Sequence, residues 1–258
     1  IGALPYILKQ LNVPVYGTNL TLGIVRTKLQ EHNMEDDCTL NVVESGDVIE
    51  LNNFKVEFIR CTHSIADSCS IALFTPIGTV FHTGDFKVDY TPIDGKVMDL
   101  KRIAQIGEEG VLLLMADSTN VEVQGHSKSE RTIGLTLNRI IGKAKGRVIV
   151  ATFASNIHRM QQIIDASLAN GRKIAFNGRS MENVSKVAME LGYLHLPEAA
   201  IIDVDELSKY TNEQITLITT GSQGEPMASL ARIAFSNHKK ISIEPNDTYI
   251  ISASPIPG

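Results

Sequence analysis

The chain has 258 residues, room for one large α/β domain or two smaller ones at roughly 100–200 residues per domain. Its 43% hydrophobic and 21% charged content excludes a disordered chain, a collagen-like repeat and a disulfide-rich miniprotein, and no apolar run approaches the roughly 18–20 residues that span a bilayer. The net charge of −5 conceals a division. Between Lys128 and Lys186 eleven Lys and Arg face three acids, a local +8 that leaves −13 for the rest, and a segment of one sign suggests a polyanion as partner. Cys38, Cys61 and Cys69 form no disulfide framework, and Ile1–Gln10 lacks the marks of a secretory leader, so a reducing, cytoplasmic setting is expected. Beginning at Ile1 inside an apolar stretch and ending after Ile256-Pro257, the sequence reads as a piece of a longer protein.

In chain order, β-branched and apolar runs predict strands at Val56–Cys61, Ser70–Thr75, Thr79–Thr83 and Val111–Met115. A polar, Gly-containing stretch from Asn120 to Arg131 then places a domain change near residue 125, giving domains 1–125 and 126–258. Beyond it come a helix over Thr132–Ile141, a strand over Arg147–Phe153, and a helix over Asn156–Ala169 with Ser155 as N-cap and Asn170-Gly171 as its stop. Strands at Lys173–Asn177, Ile215–Thr220 and Tyr249–Ser252 alternate with helices at Met181–Leu191 and Pro226–Ser236. Such alternation implies an α/β class and parallel sheet.

In the second half every predicted strand runs into small and polar residues. These are Ala154-Ser155-Asn156 with His158-Arg159, Gly178-Arg179-Ser180, Gly221-Ser222-Gln223-Gly224, and Ser252-Ala253-Ser254. The carboxyl ends of parallel strands share one edge, where ligands bind and helix N-termini offer N–H groups to anions. Two arginines among them suit a phosphate, although Gly and Ser also serve as ordinary caps in βα turns. In the first half His63 and Asp85 follow strands, and Asp117 follows another; imidazole and carboxylate are zinc donors, and equally common turn residues.

Taken together, Thr62-His63-Ser64-Ile65, His82-Thr83-Gly84-Asp85-Phe86-Lys87, Asp117-Ser118-Thr119-Asn120, Thr152–Arg159, Asn177–Glu182 and Thr220–Pro226 resemble the ribonuclease J family of β-CASP metallo-β-lactamase nucleases, end to end and in order. The resemblance implies part of a metallo-β-lactamase αββα core and a β-CASP domain with a parallel, Rossmann-like sheet. It implies a zinc-dependent ribonuclease, exonucleolytic from the 5′ end and endonucleolytic, with two zinc ions per full-length chain and single-stranded RNA bearing a 5′ monophosphate as substrate. By position, His63 and Asp85 are metal ligands, Asp85 bridging, and Asp85 and Asp117 are catalytic. Phe153, Ala154, Ser155, Asn156, His158, Arg159, Arg179, Ser180, Ser222 and Gln223 fall on the RNA-holding face, which the strand ends extend to Ser252 and Ser254. The family's His-x-His-x-Asp-His run belongs before Ile1 and its later histidine ligands after Gly258, so the chain alone is expected to be inactive. In the longer protein a homo-oligomer or a pairing with a paralogue is expected. The alternative is a non-catalytic, RNA-binding subunit of a ribonuclease J complex, against which the presence of both His63 and Asp85 argues.

Overall fold

The structure, a computed structural model, describes residues 1–253. Two compact units divide after Glu130. The first begins with α1 (Leu4–Leu8), β1 (Val15–Gly17), α2 (Asn19–Glu31) and β2 (Leu40–Val42), with β1 and β2 paired in parallel. Leu8, Val25, Leu29 and Met34 close a small core there, against Val15 and Leu40.

A five-stranded sheet follows, in the order β3-β4-β5-β6-β7: β3 (Val48–Leu51), β4 (Phe54–Arg60), β5 (Cys69–Thr75), β6 (Gly78–His82) and β7 (Leu113–Met115). Its first three pairings are antiparallel, so this sheet is mixed. The cause is connection length. Leu51 pairs with Phe54 and Thr75 with Gly78, so only two residues join the strands at each turn, too few for a parallel crossover. Asn52 occupies the first turn at φ +52°, a left-handed conformation that asparagine tolerates. Only β6 and β7, separated by α3 (Leu100–Glu109), are parallel. Asp99 caps α3 by accepting from the Arg102 N–H at 3.0 Å, and Ile106 packs with Ile59, Ala72 and Phe81. The Arg102 guanidinium grips Glu57 through two bonds of 2.7 and 2.9 Å and holds its carboxyl below the usual range. At the sheet edge, Val111 through Met115 are five successive exposed apolar residues.

The second unit comprises α4 (Arg131–Lys143), β8 (Val148–Ala151), α5 (Ile157–Ala169), β9 (Lys173–Asn177), α6 (Arg179–Glu190), β10 (Ile215–Thr219), α7 (Ser229–Ala234) and β11 (Thr248–Ile251), with 3-10 turns at Glu198–Ala200, Val204–Lys209 and Asn212–Gln214. Its strands lie in the order β11-β8-β10-β9, and all are parallel. Every residue of β8 and β10 is buried, as sheets covered on both faces require. On one face Ile149, Ala175 and Leu217 pack with Ile202, Leu207, Ile233 and Ile241. The other receives α5, whose Ser167 hydroxyl donates to Thr216 Oγ1 at 3.0 Å. α4 packs on α5 through small residues: a Cβ at Gly142 would stand 2.8 Å from Asn170 Oδ1, and one at Gly134 would stand 3.2 Å from Gln162 Nε2.

Two buried arginines fasten the amino edge of this sheet. Arg147 meets the Asp247 carboxylate in a fork of 2.9 and 2.7 Å and donates to the Ser242 carbonyl. Arg172 donates to three carbonyls, those of Gly146, Ile215 and Ala144, and burial pushes its pKa down against the opposing charge of Glu213.

Candidate functional site

Each unit contributes its own group of candidate residues. In the first, the chain leaving β4 and the chain leaving β6 are stitched side by side. Lys87 N–H donates to the Thr62 carbonyl at 2.7 Å, the Thr62 hydroxyl donates back to the Lys87 carbonyl, and Cys61 Sγ lies 3.4 Å from the Asp85 carbonyl. Thr83 reaches across to β7, its backbone N–H donating to the Met115 carbonyl and its Oγ1 accepting from the Asp117 N–H at 2.9 Å. The sequence therefore delivers His63, Asp85 and Asp117 to neighbouring loops, with His63 and Asp85 exposed. Bonds from Thr119 hold the Asp117 carboxyl below its ordinary range, aided by the Phe86 N–H and by His63. His63 Nδ1 lies 3.3 Å from Ser64 Oγ.

These residues do not by themselves fit a zinc ion. Tetrahedral zinc takes four ligands, or three plus a water. Among the described residues no three His, Cys, Asp or Glu side chains converge to hold a metal. Two expected donors on adjoining loops are a partial set.

In the second unit the four strand ends stand in one row. The connection leaving β8 runs to β9 at one border, while that leaving β10 runs to β11 at the other. Right-handed crossovers in opposite directions put the two connections on opposite faces, which makes the carboxyl ends of β8 and β10 the switch point of the sheet. At the rim, Gly178 and Gly221 take φ +107° and +108°, positions that favour glycine. A Cβ on Gly178 would stand 2.8 Å from Thr220 Oγ1, so the turns after β9 and β10 pack directly on each other.

The expected phosphate-binding residues separate by burial. Ser155, Arg179 and Ser180 are exposed, and Phe153, Ala154, Asn156, His158 and Gln223 are half-buried. Asn156, not Ser155, is the N-cap of α5: its Oδ1 accepts from the Arg159 N–H at 3.0 Å, which corrects the expected cap by one residue. Arg159 is only 7% exposed, and its Nη1 donates to the Ser252 carbonyl at 2.9 Å and to Ser252 Oγ at 2.6 Å. Two residues expected to face RNA thus hold each other, tying α5 to the end of β11. Ser222 is buried too, and Ser254 lies outside the described residues. α6 begins at Arg179, two residues before its predicted start, and Glu182 accepts from the Gly178 N–H at 3.1 Å, so a carboxylate already sits at that helix terminus.

Sequence reasoning passed over His238. Its Nδ1 accepts from the Lys240 and Ile241 N–H groups at 3.3 and 3.1 Å, which leaves the proton on Nε2 to be donated to Asn177 Oδ1 at 3.2 Å. Asn177 in turn donates to Thr219 Oγ1, linking the ends of β9 and β10. Burial, then Arg232 and Lys240, push the His238 pKa down. No sequence signal marked it, because it lies 61 residues from its partner.

Residues 145–258 match the family model of the ribonuclease J β-CASP domain. The chain is similar to ribonuclease J. Along its entire length it is similar to Ribonuclease J of Helicobacter pylori, 48% identical over 259 residues and 38% of that protein. Ribonuclease J of Thermus thermophilus is 48% identical over 265 residues, and Ribonuclease J2 of Bacillus subtilis 42% over 258; the chain covers all of itself and 46% of each. It therefore spans less than half the length of these ribonuclease J relatives. Among solved structures, a protein of unknown function from Enterococcus faecalis V583 shares the fold with a TM-score of 0.60 at 15% identity, over 92% of this chain and 65% of that one. The parallel second unit thus carries a β-CASP domain of the metallo-β-lactamase superfamily. Among the described residues no helix is long and apolar enough to cross a membrane.

Proposed function

We propose that the chain is the RNA-capturing and partial catalytic portion of a ribonuclease J, which hydrolyses phosphodiester bonds of single-stranded RNA from a 5′-monophosphate end and internally. The observation that carries this reading is the row of four parallel strand ends with Arg179 and Ser180 exposed at the end of β9, in a domain that matches the β-CASP family. An arginine fork on rigid backbone suits a terminal phosphate, which offers several oxygens and about two charges. Holding the 5′ end at a fixed place sets which phosphodiester is presented, and so turns positioning into direction of digestion. In hydrolysis the oxygen of water joins phosphorus, the bond to the leaving oxygen breaks, and that oxygen gains a proton. Asp85 and Asp117, carboxylates at the strand ends of the first unit, would take the proton released by the attacking water, which then passes to the leaving oxygen. His63 and Asp85 would be two donors toward zinc ions, which would activate the attacking water, and with so partial a set the chain alone is expected to be inactive.

The test is the affinity of the full-length protein for 5′-phosphate against 5′-hydroxyl RNA. Arg179→Ala should weaken the phosphorylated substrate by about 1.5–3 kcal/mol, the range for a hydrogen bond to a charged group, and Arg179→Lys should restore part of it. Equal loss for both substrates, or none for either, would remove Arg179 from the phosphate.

A further inference from the structure

The basic segment from Lys128 to Lys186 separates, on structure, into cations already engaged and cations left over. Arg147, Arg159 and Arg172 are buried against protein groups, Lys173 donates to the Ala199 carbonyl, and Lys186 pairs with Glu190 at 3.9 Å. Arg131, at the start of α4, is engaged as well; apart from Lys128 and Arg179, the remainder is Arg139 and Lys143 on α4 and Lys145 just past its end. α4 has no acidic residue in thirteen positions. Its buried Leu137 and Ile141 mark the side turned to α5, and at 100° per residue Arg139 and Lys143 fall on the opposite side, one turn and about 6 Å apart. Arg139, Lys143 and Lys145 are exposed, and among the described residues none has a carboxylate partner. The only acid on α5, Asp165, accepts from Gln161.

Two close approaches give the direction of this stripe. Gly134 meets Gln162 and Gly142 meets Asn170, so α4 runs parallel to α5, from the carboxyl edge of the sheet toward its amino edge. The Ala144 carbonyl receives Arg172 at that amino edge. Arg139, Lys143 and Lys145 thus lie toward the end remote from the strand-end row. Across the sheet the charge is opposite, with Glu198, Asp203, Asp205, Glu206 and Glu213 set against Lys209 within residues 198–213.

We infer that the outer face of α4 is a track for the backbone of single-stranded RNA, carrying nucleotides beyond those held at the strand ends. The inference rests on the RNA-capturing reading above. Two unpaired cations one turn apart on a rigid helix, with a third just past its end, neutralise successive phosphates without reading bases, and release their counterions.

The test measures salt dependence of binding by the full-length protein to 5′-phosphorylated single strands of four and of twenty nucleotides. The triple variant Arg139→Gln, Lys143→Gln, Lys145→Gln keeps good helix formers at exposed sites, and its thermal melt should match the parent. With about 0.7 counterions released per neutralised phosphate, its slope for the long strand should fall by about 2, with the four-nucleotide slope and the 5′-phosphate preference unchanged. An unaltered slope for the long strand would overturn the track, as would an equal fall for the short one. If anionic phosphatidylserine vesicles bind the parent through these three residues while the RNA slope stays put, the face belongs to a membrane surface instead. A parent protein that binds no RNA would end both readings, whereas failure of the track alone leaves the Arg179 result standing.

Discussion

Arg159 and Arg179 both follow strands of the same sheet, and the structure assigns them opposite behaviour. Arg159→Met keeps the length and much of the apolar volume of the side chain while deleting both bonds to Ser252. Each bond to a charged group contributes about 1.5–3 kcal/mol, and the Ser252 carbonyl left in a buried position adds about 1–3 kcal/mol of desolvation. Relief from burying a guanidinium offsets part of this, so a net loss of about 2–4 kcal/mol is expected. Urea unfolding followed by tryptophan-independent signals such as far-UV circular dichroism reads it as a lower midpoint at unchanged slope, since the chain has no tryptophan. Below the unfolding transition, RNA affinity should change little. Arg179→Ala should show the reverse, an unchanged midpoint and weakened 5′-phosphate binding. A stable Arg159→Met protein with a specific loss of RNA affinity would refute the assignment, because it would mean that the guanidinium reaches the ligand.

Other consequences are measurable on the same protein. Asp247→Ala removes the two-bond partner of the Arg147 guanidinium, whose side chain is 5% exposed, and should cost about 3 kcal/mol in urea unfolding, the low end for breaking a buried pair, because Glu244 at 3.1 Å and the Ser242 carbonyl remain. Because the folded pKa of His238 lies below its unfolded value near 6.5, its contribution to stability is complete above that pH and is lost as pH falls through the folded value. The unfolding midpoint should therefore decline as the pH falls below about 6.5, and His238→Leu should flatten that decline. Gly178→Ala places a Cβ 2.8 Å from Thr220 Oγ1 at φ +107°, and should lower the melting temperature by an amount equivalent to about 1–3 kcal/mol while weakening RNA binding.

What the sequence disclosed follows from how local the determinants are. β9 is found where predicted, Lys173 to Asn177, because a short buried strand bounded by Gly171 and Gly178 carries its own signal. α2 went unpredicted. Its buried Leu20, Leu22, Val25 and Leu29 are interleaved with Thr and Gly, so the apolar stripe is weak and the helix is held by its packing. α7 is confined to Ser229–Ala234 because Ala228 is extended at ψ 157°, a choice made by the turn from β10 rather than by Pro226. For the candidate site the limit was different. Arg159 and Arg179 stand in nearly equivalent positions after strands, and only the placement of Ser252, 93 residues away, makes one of them internal. The basic count of the segment was correct, yet three of its arginines spend their charge on the scaffold.

β7 bears on the handling of the chain in solution. Strands at the border of a sheet present N–H and C=O groups to any strand that arrives, and proteins ordinarily guard them with lysine, proline or a bulge. Val111–Met115 has none of these guards, and its side chains are apolar on both sides of the pleat. At high concentration, chains of this sequence will join border to border, and light scattering will grow with concentration faster than for a monomer. Leu114→Lys places a charge at the centre of that border, where it blocks the growth without touching either group of candidate residues.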